Sequence, residues 1–140
     1  MVKYRQYSIE DYYKMAEFGI IKPNEKLELI NGEIYVKRKQ TPKHSAYKTR
    51  INRLFFTLDI PAIISTGQPL RLNNWNEPEP DIAVLKYRND FYAENHPTEK
   101  DTFFVIEVAE KTVHFDQSVK SKVYAKANIF DYWIINLVDE

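Results

Sequence analysis

Charge falls where the apolar pattern of this chain calls for a core. Phe103-Phe104-Val105-Ile106-Glu107-Val108 reads as a strand that is apolar on both faces, hence a central one, and Glu107 sits inside it. Asp81 follows Pro80 and opens the short apolar run Ile82-Ala83-Val84-Leu85. At about 100° per residue, a helix over 116–127 gathers Val119, Val123, Tyr124 and Ala127 on one arc. Asp116 and Lys120 project into that arc, whereas Lys122 and Lys126 project away from it. A buried charge is costly unless it is paired or holds a metal ion. Any fold that buries these strands and this helix must therefore reconcile two acids and a lysine with one another.

Each residue has a plainer reading of its own. Glu107 can be a strand-end carboxylate turned to solvent, although the loop only begins at Ala109-Glu110-Lys111. Asp81 can simply start a strand after a proline. Lys120 can snorkel, or pair with Asp116 one helical turn away for a few tenths of a kcal/mol. Taken together they point further. Magnesium prefers hard oxygen ligands, usually one or two carboxylates completed by water and substrate phosphate. Two carboxylates from neighbouring strands and a lysine from a helix suggest a magnesium-dependent hydrolase, with a nuclease the first choice.

The rest of the chain narrows the setting. Its 140 residues suit one domain, 1–140, and a hydrophobic share of 44% supplies a real core. Twenty basic residues balance twenty acidic ones, which argues against a strongly non-specific DNA binder but leaves room for a local basic patch. Cysteine is absent, so thiol catalysis and zinc–thiolate sites are excluded. Three glycines cannot build a phosphate cradle, and no Walker loop or nucleophile elbow is present. No apolar run approaches the roughly 18 residues of a membrane span, and the start leads into no signal-like run. A cytoplasmic protein is expected.

Local signals give an order of elements. Ser8 caps a helix ending near Phe18, with Gly19 at its C′ position. Asn31-Gly32 joins two short strands as a hairpin, and Glu28 alternates with Leu27 and Leu29 as its wet face. Thr41-Pro42 starts a helix running to about Leu58, with Ile51, Leu54, Phe55 and Leu58 on one face. His44 in its first turn reads as a polar capping or surface residue. Gln68 lies in a broken extended stretch and says little by itself. Residues 86–100 read as a polar loop. Strands at 81–85 and 103–108, the helix over 116–127 with Asn128 as its stop, and a strand at 132–137 complete an α/β chain with a mixed sheet.

These residues, in this order, resemble a known family. Glu28-Leu29-Ile30-Asn31-Gly32-Glu33, His44, Gln68, Glu79-Pro80-Asp81, Phe104-Val105-Ile106-Glu107-Val108, then Asp116, Lys120 and Tyr124 at steps of four, and Asp131-Tyr132-Trp133-Ile134-Ile135 are similar to the Uma-type restriction endonuclease family. The resemblance implies a fold of the PD-(D/E)XK nuclease kind, a mixed sheet flanked by helices and here preceded by an N-terminal helix and hairpin. It implies Asp81 and Glu107 as metal carboxylates and Lys120 as the catalytic lysine, displaced from the strand position that Ala109 occupies. Glu28, His44 and Gln68 become accessory positions. It further implies Mg²⁺, with Mn²⁺ able to substitute, and DNA as substrate. Two features depart from the family. Asn128 and Asn136 stand where a glycine and an aspartate are usual, and the family's C-terminal strands are expected to be missing. An uncovered strand edge then favours a homodimer or larger assembly. The alternative is a catalytically inactive nuclease-fold module that binds nucleic acid or another partner.

Overall fold

The structure, a computed structural model, describes residues 1–138. Asp139 and Glu140, part of the expected 1–140 domain, lie outside the described residues. Helix α1 (Ile9–Glu17) begins at a complete capping box, in which Ser8 and Asp11 each accept from the other's backbone N–H. It stops at Phe18, and Gly19 follows at φ 76°. Strands β1 (Leu27–Ile30) and β2 (Glu33–Val36) pair antiparallel around Asn31 and Gly32, both at positive φ. This is the hairpin that the Asn-Gly pair predicts. Helix α2 (Pro42–Thr57) starts at Thr41, whose hydroxyl accepts from His44 N–H.

Four strands make the central sheet in the order β3 (Ala62–Thr66), β4 (Ile82–Lys86), β5 (Thr102–Ala109) and β6 (Tyr132–Asn136). The first three run antiparallel to their neighbours, while β5 and β6 are parallel. A parallel pair needs a crossover, and the helical segment between them supplies it. That segment comprises α3 (Val113–Phe115), a π turn (Asp116–Lys120) and α4 (Ser121–Lys126) in unbroken helical backbone. Alternation along β4 sends Ala83 and Leu85 to one face and Ile82 and Val84 to the other. The first face packs with Val105, Val123, Tyr124 and Leu70, under the crossover segment. The second packs with Ile106 beneath Ile51 and Phe55 of α2. The sheet is thus flanked by helices on both faces.

Some local expectations change. Only Ile51 and Phe55 of α2 meet the sheet, and Leu54 and Leu58 stay 57% and 54% exposed on its flank. Phe103 does not join Val105 in the core. Thr102 pairs with Leu85 and Phe104 with Val84, so Phe103 is the extra residue of a bulge and remains exposed. The helix starts three residues before Asp116. The polar stretch 86–100 is tied to itself: Arg88 pairs with Asp90, and Tyr92 Oη donates to the Lys86 carbonyl at 2.6 Å. Among the described residues no helix is long and apolar enough to cross a membrane.

Candidate active site

Asp81, Glu107 and Lys120 meet at the floor of a cavity of about 500 Å³. Asp81 stands immediately before β4, and Glu107 stands on β5 beside it. The backbone joins them, because the N–H of Val108, the residue after Glu107, donates to Asp81 Oδ2 at 2.7 Å. Antiparallel pairing of Ile82 with Ile106 sets this juxtaposition. Lys120 arrives from the crossover helix. Its Nζ lies 2.9 Å from Glu107 Oε1 and 2.9 Å from Glu28 Oε1. The plainer pair with Asp116 does not form. The π turn decides this: Ser121 N–H bonds the Asp116 carbonyl five residues back, and both Asp116 and Lys120 end buried. Widened turns of this kind gather at functional sites.

Glu28 is not the wet face of the hairpin. All four residues of β1 are buried, and Glu28 is 6% exposed. The reason lies in the tertiary fold. β1 docks against the segment before Asp81, bridging Leu29 to Glu77, and the N–H of Glu79 donates to Glu28 Oε1 at 3.1 Å. His44 likewise turns inward from α2, with Nε2 at 3.3 Å from Asp81 Oδ2. Its buried Nδ1 has no hydrogen-bond partner among the described residues. Gln68 is not brought to this place. It is exposed, bonds the Thr66 carbonyl alone among the described residues, and does not line the cavity.

Three further residues build the site beyond those expected to carry it. Tyr124 is fully buried and donates to Glu107 Oε1 at 3.2 Å. Asp116, 4% exposed, accepts from the Thr112 hydroxyl. Lys37 donates to the Glu79 carbonyl at 2.7 Å and closes one wall. Steps of four on one helix placed Asp116, Lys120 and Tyr124 together and hinted at the first two. Nothing local marked Lys37.

The electrostatics are those of crowded acid. Burial pushes the Glu107 carboxyl up, to about 8; Lys120 pulls against that rise, while Asp81, Glu28 and Asp116 add to it. Burial also raises Asp116, against Lys120 and the Thr112 hydroxyl. For Asp81 burial is outweighed by the hydrogen bonds from His44 and Val108, which hold the carboxyl below its usual range. The same bond to Asp81 raises the His44 imidazole. Burial works against the Lys120 ammonium, yet Glu107 and Glu28 hold its pKa above that of an ordinary lysine. Asp81 is thus held as a carboxylate, whereas burial works against the charge on Glu107.

Asp81 Oδ1 and Glu107 Oε2 accept no hydrogen bond among the described residues, since the bonds to these side chains fall on the other oxygens. Those two hard oxygens could hold a magnesium-class cation, which needs only one or two carboxylates beside water and phosphate oxygens. No cage of three or more His, Cys, Asp or Glu side chains exists among the described residues, so the donor set does not suit an ion that must be wrapped by protein alone. The sequence model of the family Uma2, described as "Putative restriction endonuclease", matches residues 9–140. No curated protein matches the chain.

Proposed function

The chain belongs to the Uma2 family, and from that premise we propose that it is a metal-dependent endonuclease that hydrolyses DNA phosphodiester bonds at the floor of this cavity. One observation carries the reading. Glu28, Asp81, Glu107 and Asp116 are all buried around a single buried lysine. Such an excess of acid is costly in a protein interior unless a cation is shared. The free oxygens of Asp81 and Glu107 would hold Mg²⁺, or Mn²⁺ in its place. When bound, such an ion polarises a phosphoryl oxygen and lowers the pKa of a water.

The chain's own groups do the remaining work. Lys120, beside Glu107, offers its ammonium to charge that builds on the phosphate as the bond breaks. Glu28 is the second carboxylate that fixes that ammonium. His44 and the Val108 N–H hold Asp81 Oδ2, which turns Oδ1 toward the cavity. Tyr124 orients Glu107 from below.

A cleavage assay on plasmid, linear duplex and single-stranded DNA with Mn²⁺, run beside melting curves, tests the proposal. Wild type is expected to cut the plasmid, and millimolar Mn²⁺ is expected to raise its melting temperature, since a ligand of the native state stabilises it by mass action. Asp81→Ala should lose both. Equal Mn²⁺ shifts in the two proteins would sink the metal assignment. The rival reading, a nuclease fold kept for binding alone, draws on the engagement of Lys120 with two carboxylates. It requires DNA binding with no metal shift and no cutting.

A further inference from the structure

The zero net charge of the chain conceals a division at this cavity. Four acids lie at the floor, where Glu28, Asp81, Glu107 and Asp116 are each 6% exposed or less, and the fifth acid of the lining, Glu110 on the wall, is engaged by the Thr41 hydroxyl. The cavity's unpaired cations lie at the rim. Arg38 and Lys39, in the link between β2 and α2, and Lys111, just past β5 on the facing wall, line the cavity with exposed side chains. None of the three has an ion-pair or hydrogen-bond partner among the described residues.

The link that carries Arg38 and Lys39 is fastened at both ends. Upstream, Lys37 N–H donates to the Lys26 carbonyl at 2.8 Å, and Lys37 Nζ donates to the Glu79 carbonyl. Downstream, the Thr41 hydroxyl caps α2 and donates to Glu110, the residue beside Lys111. The two walls are thus joined by Thr41 and Glu110, and the cations between the fastenings project freely. An arrangement held in place before a ligand arrives loses less entropy on binding.

We propose that Arg38, Lys39 and Lys111 form a phosphate clamp that holds the DNA backbone across the cavity mouth and sets the scissile phosphate over the acidic floor. The proposal rests on the nuclease reading and adds where the substrate is held. Cations at the rim answer an anionic backbone, whereas the floor alone would repel it. Binding through such contacts carries a salt dependence set by the number of phosphates neutralised.

The test uses the full chain with chelator present, so that nothing is cut. Anisotropy of a labelled duplex is measured at several salt concentrations. Arg38→Gln/Lys39→Gln/Lys111→Gln is compared with Lys100→Gln/Lys122→Gln/Lys126→Gln, which makes the same charge change on exposed residues outside the cavity. The rim triple is expected to bind at least about tenfold more weakly near 100 mM salt, with a log–log salt slope shallower by roughly two to three. The control triple should stay within about twofold, and both should melt like wild type, because surface substitutions are usually mild. Equal losses in both triples would assign the effect to net charge and overturn the clamp. Tight wild-type binding that the rim triple retains would overturn the clamp and leave the nuclease reading standing. Failure of wild type to bind duplex even at low salt would remove both.

Discussion

Glu107 enters the sheet as one acid among four, and burial raises its carboxyl to about 8 from an ordinary 4.5. The sign of the consequence follows from linkage. A carboxyl whose folded pKa lies above its unfolded value binds more protons folded than unfolded. Its contribution to stability is complete below about 4.5 and is lost as pH rises through about 8. With chelator present, the melting temperature of wild type is therefore expected to fall across that window. Glu107→Gln, which cannot ionise, should flatten the fall. A Glu107→Gln curve that keeps the full wild-type slope would show that another group is responsible. Around Glu107 the partners differ in legibility. Lys120 announced itself by lying in an apolar arc. Lys37 and Glu28 did not, because what engages Lys37 and buries Glu28 is the docking of the hairpin on residues 77–79, far away in sequence.

Helix register is an expectation that belongs to the element scale. Lys120 is 3% exposed and Lys122 is exposed, as the arc requires. Lys120→Met should abolish cleavage. It should also cost stability, on the order of 3 kcal/mol, because it leaves Glu28 and Glu107 buried without their cation; activity must therefore be read well below the variant's melting temperature. Lys122→Met should leave activity within a few fold. Essential Lys122 with dispensable Lys120 would contradict the site as drawn. Ends of elements were also legible: Ser8, Gly19, Asn31-Gly32, Thr41 and Asn128 act through local hydrogen bonds or positive φ. The bulge at Phe103 and the π turn at 116–120 were not. Both are one-residue adjustments imposed by what the strand or helix packs against.

For the whole molecule, assembly turns on the edge of the sheet and on exposed apolar residues. Among the described residues strand β6 is an edge of the sheet, and Trp133 on it is 52% exposed and stacked on Phe104 at 5.1 Å between ring centroids. Phe103 and Leu54 are half-exposed as well. Tyr132, the other aromatic expected at a contact, is turned inward against Tyr124, and its hydroxyl bonds the Asp116 carbonyl. Edge strands and apolar surface favour pairing. Sedimentation at micromolar concentration is expected to give a mass above the 16.7 kDa of one chain, and Trp133→Lys is expected to lower it. A clean monomer for wild type would end the self-association claim and weaken a double-strand cutting mode.

What the sequence determined by itself is everything that depends on neighbours along the chain. Periodicity marked the inward arc of the helix around Lys120 and the buried run of β4, turn and cap residues marked the ends of α1, the hairpin and the start of α2, and charge inside apolar patterns marked Asp81, Glu107 and Lys120 as residues in need of partners. Which partners they take was decided by tertiary structure alone. The pairing of β4 with β5 brings Val108 N–H to Asp81, the hairpin's docking turns Glu28 from an expected wet face into a buried acid at Lys120, and α2 brings His44, while Gln68, just past β3, stays outside the cavity. Pairing across 13 to 92 residues carries no local signature, because a carboxylate's neighbours in sequence do not say which cation the fold will set against it.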